Sequence, residues 1–132
     1  MEKFLRIVAN SKILIAPKSN KGGICELEKQ MGVHLIAEVT NCDPVVLNDE
    51  LYLHSLLHTA CQIGGAGIVN SQSHKFSPQG VTVLILLSES HASIHTWPED
   101  CYAAIDVFTC GTKVKPKMII DYIQQKMDGS YH

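Results

Sequence analysis

Hydrophobic positions change their spacing several times along the chain, and each change predicts an element. Val33 to Val39 is apolar and nearly alternating at its ends, the pattern of a strand, and the run Thr40 to Pro44 closes it with turn residues. Asn48, Asp49 and Glu50 then open a helix, with acids in its first turn. Leu51, Leu53, Leu56, Leu57, Ala60 and Ile63 follow mostly at three- and four-residue steps, which predicts one buried face, and Gly64-Gly65 stops the helix. Ala66 to Phe76 reads as a second strand and Ser77 to Gly80 as a turn. Val81 to Leu87, the most hydrophobic run, predicts a central strand. His91–Trp97 and Tyr102–Thr109 predict two more, joined across Pro98-Glu99-Asp100. Pro116, placed for the first turn, precedes a last helix carrying Met118, Ile119, Ile120, Tyr122, Ile123 and Met127.

Upstream, two apolar patches (Phe4–Val8 and Ile13–Ala16) predict one or two short strands, Pro17–Gly23 a loop, and Glu26–Met31 a helical turn. Residues 1–31 are thus read as an N-terminal extension. Several strands in succession, with one helix inserted early and one at the end, predict an α+β fold: a two-layer sandwich, an antiparallel sheet with helices on one face. A parallel α/β sheet would need a helix between most strands, and none fits between residues 66 and 109.

Composition narrows the function classes. A chain of 132 residues with 45% hydrophobic and 18% charged residues is long enough for a core without disulfides or metal. A formal charge of -2 gives no basic face for a nucleic-acid backbone. No apolar run reaches the roughly 18–20 residues of a membrane span, and the N-terminus lacks the pattern of a signal peptide, so the expected location is the cytoplasm. Five cysteines (Cys25, Cys42, Cys61, Cys101 and Cys110), with no Cys-x-x-Cys pair, disfavour a disulfide scaffold or a zinc ribbon.

The chemistry concentrates between Leu87 and Gly111. That stretch holds five serine or threonine hydroxyls, two histidines, two cysteines, the only tryptophan and four acids. Ser90 stands beside Glu89 and His91, with His95 five residues on. In a strand, residues 91, 93 and 95 share one face and 90, 92 and 94 the other, so Ser90 and His95 meet only if the chain bends between them. Pattern alone leaves three readings open. One is a Ser–His hydrolase, although the Gly-x-Ser-x-Gly elbow is absent and no acid is singled out as orienter. Another is a metal site from His91, His95 and Cys110, which no spacing marks. The third is ordinary core and surface residues.

Longer stretches carry a resemblance. Glu89-Ser90-His91, Ile94 to Glu99 and Tyr102 to Gly111 resemble the signature of the small prokaryotic S-adenosylmethionine decarboxylases, pyruvoyl enzymes of polyamine synthesis. His74-Lys75-Phe76, Pro78 to Val81 and the stretch from His34 to Asp43 also match, so the likeness covers roughly residues 32–126 and makes 32–132 a pyruvoyl-dependent decarboxylase domain. The resemblance implies that Ser90 attacks the carbonyl of Glu89 in an N→O acyl shift. Elimination then cleaves the chain and leaves a pyruvoyl cofactor made from Ser90, so that no exogenous cofactor is needed. That group forms a Schiff base with the substrate amine. His95 matches the processing histidine, and Thr82 stands where the family usually has a processing serine. Cys110 matches the acid that reprotonates the substrate carbon. Phe76 and Trp97 match positions that stack on adenine, Glu99 one that binds the nucleoside, and Glu38 a residue near the pocket. The implied product serves spermidine synthesis, the implied assembly is at least a homodimer, and the partner is a small-molecule substrate rather than nucleic acid or membrane.

This chain also departs from the pattern. Asp100-Cys101 stand where relatives commonly have another residue followed by Gly, and Thr40 where they often carry an aromatic. Asp100 adds a carboxylate that would suit a cationic substrate. A pyruvoyl-dependent ornithine or arginine decarboxylase, or an inactive binding homologue, therefore stands as the alternative.

Overall fold

The computed structural model describes residues 4–15 and 29–127. Six strands, β1 (Phe4–Ile15), β2 (Lys29–Thr40), β3 (Ile68–Lys75), β4 (Val81–Leu87), β5 (Ser90–Trp97) and β6 (Tyr102–Cys110), form one antiparallel sheet in the order β1-β2-β6-β5-β4-β3. Among the described residues there are three α-helices, α1 (Pro44–Leu47), α2 (Glu50–Ile63) and α3 (Pro116–Lys126). Helix α2 packs on β3, β4 and β5, and α3 on β2 and β6. The result is the expected two-layer α+β sandwich.

Period-two alternation decides which side chains enter the core. On β4, Val81, Val83, Ile85 and Leu87 are buried under the helices, while Leu84 and Leu86 are exposed on the opposite face. Ala92, Ile94 and Thr96 of β5 and Ala103, Ile105, Val107 and Thr109 of β6 continue the same buried layer. Each large aliphatic so buried contributes about 1.5–3 kcal/mol. Thr96 is a polar member made tolerable by pairing: its hydroxyl donates to the Leu47 carbonyl at 2.7 Å and accepts from the Val81 amide at 2.9 Å. It thereby ties α1 to the sheet.

Capping explains where the early helices begin. The carboxylates of Asp43 and Asp49 accept from the amides of Val45 at 2.9 Å and Tyr52 at 3.0 Å. Asp43 thus converts the end of the expected turn into the four-residue α1. Beyond α2, Gly65 takes φ +85°, as the end signal requires.

Several expectations need correction. Residues 4–8 and 13–15, from the two N-terminal apolar patches, lie in one strand, β1, which pairs along β2 from Phe4 opposite Thr40 to Ile15 opposite Lys29, while Ala16 lies outside the described residues. Residues 29–31 extend β2 rather than forming a helical turn, because β1 offers them a ladder of partners. Residues 26–28, the loop at 17–23 and Cys25 lie outside the described residues. Val81–Leu87 is fifth of six rather than central, and one of its faces is open. Leu51 is 82% exposed, since it lies two residues from Leu53 and so on the far side of the helix from the buried stripe. Ile63 and Met118 are likewise exposed at their helix ends.

Candidate functional site

The hairpin between β4 and β5 has only two turn residues, Ser88 and Glu89, because Leu87 already pairs with Ser90. Gly67 braces this turn. Its carbonyl accepts from the Ser88 amide at 2.8 Å, and its amide donates to the Glu89 carboxylate at 3.0 Å. Ser90 follows with φ +143°, a value side-chain-bearing residues rarely adopt. Holding it there costs on the order of 1–3 kcal/mol, met by the surrounding ladder. The Glu89 carbonyl that precedes it accepts a hydrogen bond from the Cys110 amide at 2.7 Å. A strained serine thus directly follows a peptide carbonyl that is already polarised.

The open face of the sheet continues from that junction. The Ser90 hydroxyl lies 3.1 Å from Nδ1 of His91, whose ring stacks on Phe108 at 6.2 Å between centroids and an interplanar angle of 12°. On the neighbouring strands, Nε2 of His34 contacts the Asp106 carboxylate at 2.7 Å, and Nε2 of His91 stands 3.5 Å from the same oxygen. Cys110, exposed, closes this end opposite Gly32. Glu89, Ser90 and Cys110 therefore lie at one end of the sheet.

The remaining candidates gather at the other end of the sheet. Thr82 pairs with His95, and their side chains meet at 3.0 Å between Oγ1 and Nδ1. Trp97 packs against Tyr102 at 5.5 Å. The Tyr102 hydroxyl donates to Glu38 at 2.9 Å, and Arg6 pairs with the same carboxylate at 2.5 Å. Burial first, then the bond to Glu38 and its charge, push the Tyr102 phenol up, against a smaller lowering by Arg6. Glu99, in a 3₁₀ turn over Pro98–Asp100, accepts from the Gln79 amide at 2.7 Å. Phe76, at the end of β3, is half exposed and meets the His74 ring edge-on at 4.6 Å.

Strand β5 runs unbroken between the two groups, so the bend that would bring Ser90 to His95 does not occur. Five steps along the strand separate them by about 16 Å. Nor do His91, His95 and Cys110 converge. Among the described residues no group of three or more His, Cys, Asp or Glu side chains is placed to hold a metal ion. Among these residues, too, no helix is long and apolar enough to cross a membrane. Cys42 and Cys61 are buried core thiols, and burial, with a smaller push from the Glu89 charge, raises Cys61 to about 12.

Sequence reasoning gave no role to His34, Asp106 or Tyr102, and weighed His91 only as a metal ligand. His34 and Asp106 lie 72 residues apart, so only the β2–β6 register reveals their contact.

The architecture and the Glu89–Ser90 hairpin define an α+β sandwich with a backbone-strained serine at the start of an inner strand. The chain matches the S-adenosylmethionine decarboxylase family model over residues 33–132, and it belongs to that family. It is 47% identical over 102 residues to an S-adenosylmethionine decarboxylase proenzyme of Prochlorococcus marinus (strain MIT 9313), covering 77% of this chain and 82% of the relative. A proenzyme of the same name from Methanococcus maripaludis is 50% identical over 97 residues, covering 74% and 80%. The crystal structure of the adenosylmethionine decarboxylase of Aquifex aeolicus superposes with a TM-score of 0.71 at 34% identity, over 75% of this chain and 82% of that one.

Proposed function

We propose that this protein is a self-processing decarboxylase of S-adenosylmethionine, supplying the aminopropyl donor for spermidine synthesis. The observation that carries the self-processing reading is the Glu89–Ser90 junction: a serine at φ +143° whose preceding carbonyl is held by the Cys110 amide. This arrangement fits conversion of Ser90 into a pyruvoyl group at the head of β5. Such a group supplies a carbonyl that takes up the electrons released as carbon dioxide leaves.

This chain's own residues do the rest. The Cys110 thiol, one residue beyond Thr109 (the partner of Ser90 across β5 and β6), protonates the substrate α-carbon. His95, held by Thr82, removes the Ser90 α-proton during processing. Phe76 and Trp97 offer exposed rings for the adenine, and Glu99 and Glu38 offer carboxylates for the nucleoside.

A second copy of the chain resolves the separation of the two groups. Leu84 and Leu86 are 47% and 53% exposed on the open face, beside a groove of about 510 Å³ that reaches His91 and Ser93. Two such faces, stacked with strands running opposite ways about a two-fold axis, set Ser90 and Cys110 of one chain against His95, Thr82 and Trp97 of the other. The homodimer then forms two equivalent composite sites. Asp100, the residue that raised an ornithine or arginine substrate, is exposed on the 3₁₀ turn, and no contact there favours that reading.

The test joins denaturing mass spectrometry to a substrate assay. We expect fragments meeting between Glu89 and Ser90, the second bearing a pyruvoyl terminus, and carbon dioxide released from S-adenosylmethionine. An intact, inactive chain, or release from ornithine or arginine alone, would overturn the reading.

A further inference from the structure

We propose that His91 is the base that starts self-cleavage, held for that task by Asp106 and His34; the proposal rests on the self-processing reading above. The acyl shift has two proton requirements. The Ser90 hydroxyl must lose a proton as it attacks the Glu89 carbonyl carbon, and the Ser90 nitrogen must gain one as the peptide bond breaks. His95 serves neither, because the intact β5 holds it about 16 Å away. Even when a second copy brings another His95 near, the group already in contact with the hydroxyl is His91 Nδ1, at 3.1 Å.

Its surroundings set the tautomer this step requires. Nε2 of His91 faces the Asp106 oxygen at 3.5 Å, and His34 anchors that oxygen at 2.7 Å. A proton on Nε2, directed at the carboxylate, leaves Nδ1 free to accept from Ser90. Phe108 stacks under the ring and holds its plane. Of the titratable groups on the elements around His91, Asp106 of β6 and His34 of β2 approach its ring. Glu89 of the turn and Cys110 of β6 stand at the same end of the sheet, Tyr102, Glu38 and His95 lie towards the other end, and β4 presents uncharged Leu86 opposite. Asp106 is the group placed to stabilise the imidazolium.

The step balances without a co-reactant. As the Ser90 oxygen bonds to the Glu89 carbonyl carbon, its proton passes to His91 Nδ1, and the charge developing on the carbonyl oxygen meets the Cys110 amide, 2.7 Å away. Collapse breaks the carbon–nitrogen bond, His91 returns the proton to the Ser90 nitrogen, and an ester joins Glu89 to Ser90. His91 is therefore a catalytic residue of processing; Asp106 and His34 are positioning residues.

The proposal divides the two histidines between two steps, which a nucleophile that splits esters distinguishes. Chains made by cell-free translation are followed by denaturing mass spectrometry, with and without hydroxylamine. The wild type cleaves between Glu89 and Ser90. His95→Ala accumulates the ester, which hydroxylamine splits at the same bond. His91→Ala slows cleavage about 100-fold with no hydroxylamine-sensitive ester, and added imidazole restores it. His91→Gln, which keeps a hydrogen bond but takes up no proton, behaves as the alanine chain does and gives the same reading should that chain fail to fold. In Asp106→Asn cleavage slows about 10-fold without ester accumulation, while Asp106→Glu, which keeps a carboxylate towards Nε2, restores much of the rate, a split that a purely structural role would not make. Cleavage of both His91 variants at the wild-type rate, or ester accumulation in them, overturns the inference alone. A wild-type chain that never cleaves overturns the self-processing reading with it.

Discussion

The Cys110 amide donates to the Glu89 carbonyl at 2.7 Å, joining the residue after one strand pair to the residue before it. The bond depends on β2 approaching β6 closely at Gly32, which sits opposite Cys110. A Cβ at Gly32 would lie 2.2 Å from the Thr109 carbonyl oxygen and 2.9 Å from Cys110 Cα, both main-chain atoms that cannot rotate away. Gly32→Ala should therefore push β6 aside, destabilise the fold by about 1–3 kcal/mol and slow cleavage beyond what the stability loss explains. Denaturant unfolding and a cleavage time course check the two effects separately.

Cys101 takes φ +51° and ψ +39°, the left-handed conformation that glycine adopts at little cost. The turn at this position favours a glycine, so Cys101 holds the left-handed conformation at a steric cost. Cys101→Gly should stabilise the fold by roughly 1 kcal/mol, read as a higher denaturant midpoint at unchanged slope. Decarboxylation should be unchanged.

If the site is shared between copies, two defective chains should complement each other. A mixed dimer of His95→Ala and Cys110→Ala carries one site with both residues intact and one with neither. Co-expression should restore activity that neither variant has alone, while Leu84→Glu with Leu86→Glu should abolish it together with dimerisation. Sedimentation and carbon dioxide release measure both outcomes.

Burial holds the Cys61 thiol at about 12, above its ordinary 9.0. The unfolded chain ionises this thiol first, so folding stability is full below pH 9 and falls as pH rises towards 12. Its share of the slope approaches about 1 kcal/mol per pH unit, and Cys61→Ala should flatten it. Tyr102, also raised, adds a fall in the same direction above its ordinary 10.0. Alkaline unfolding curves of wild type and Cys61→Ala provide the comparison.

Much of this could be read from local signals. Asp49 and Gly64-Gly65 bound α2 because capping and termination act within a few residues. The continuous apolar run Val81–Leu87 marks a strand, but its sequence does not tell the covered face from the open one, which the structure divides between Val81, Val83, Ile85 and Leu87 and the exposed Leu84 and Leu86. The burial of Leu53, Leu56 and Leu57 follows from helical spacing, whereas the exposure of Leu51 depends on where the sheet lies.

The sequence by itself determined most of the strands, the two longer helices and the α+β class, which follow from short-range periodicity, whereas a family resemblance rather than periodicity singled out Ser90, His95 and Cys110. Tertiary structure alone decided their distances. Register across β2, β6, β5 and β4 sets Cys110 beside Glu89, links His34 to His91 through Asp106, and leaves His95 at the far end with Thr82. Register arises from pairings between residues far apart in the chain, and a one-residue slip would turn every one of these side chains to the other face.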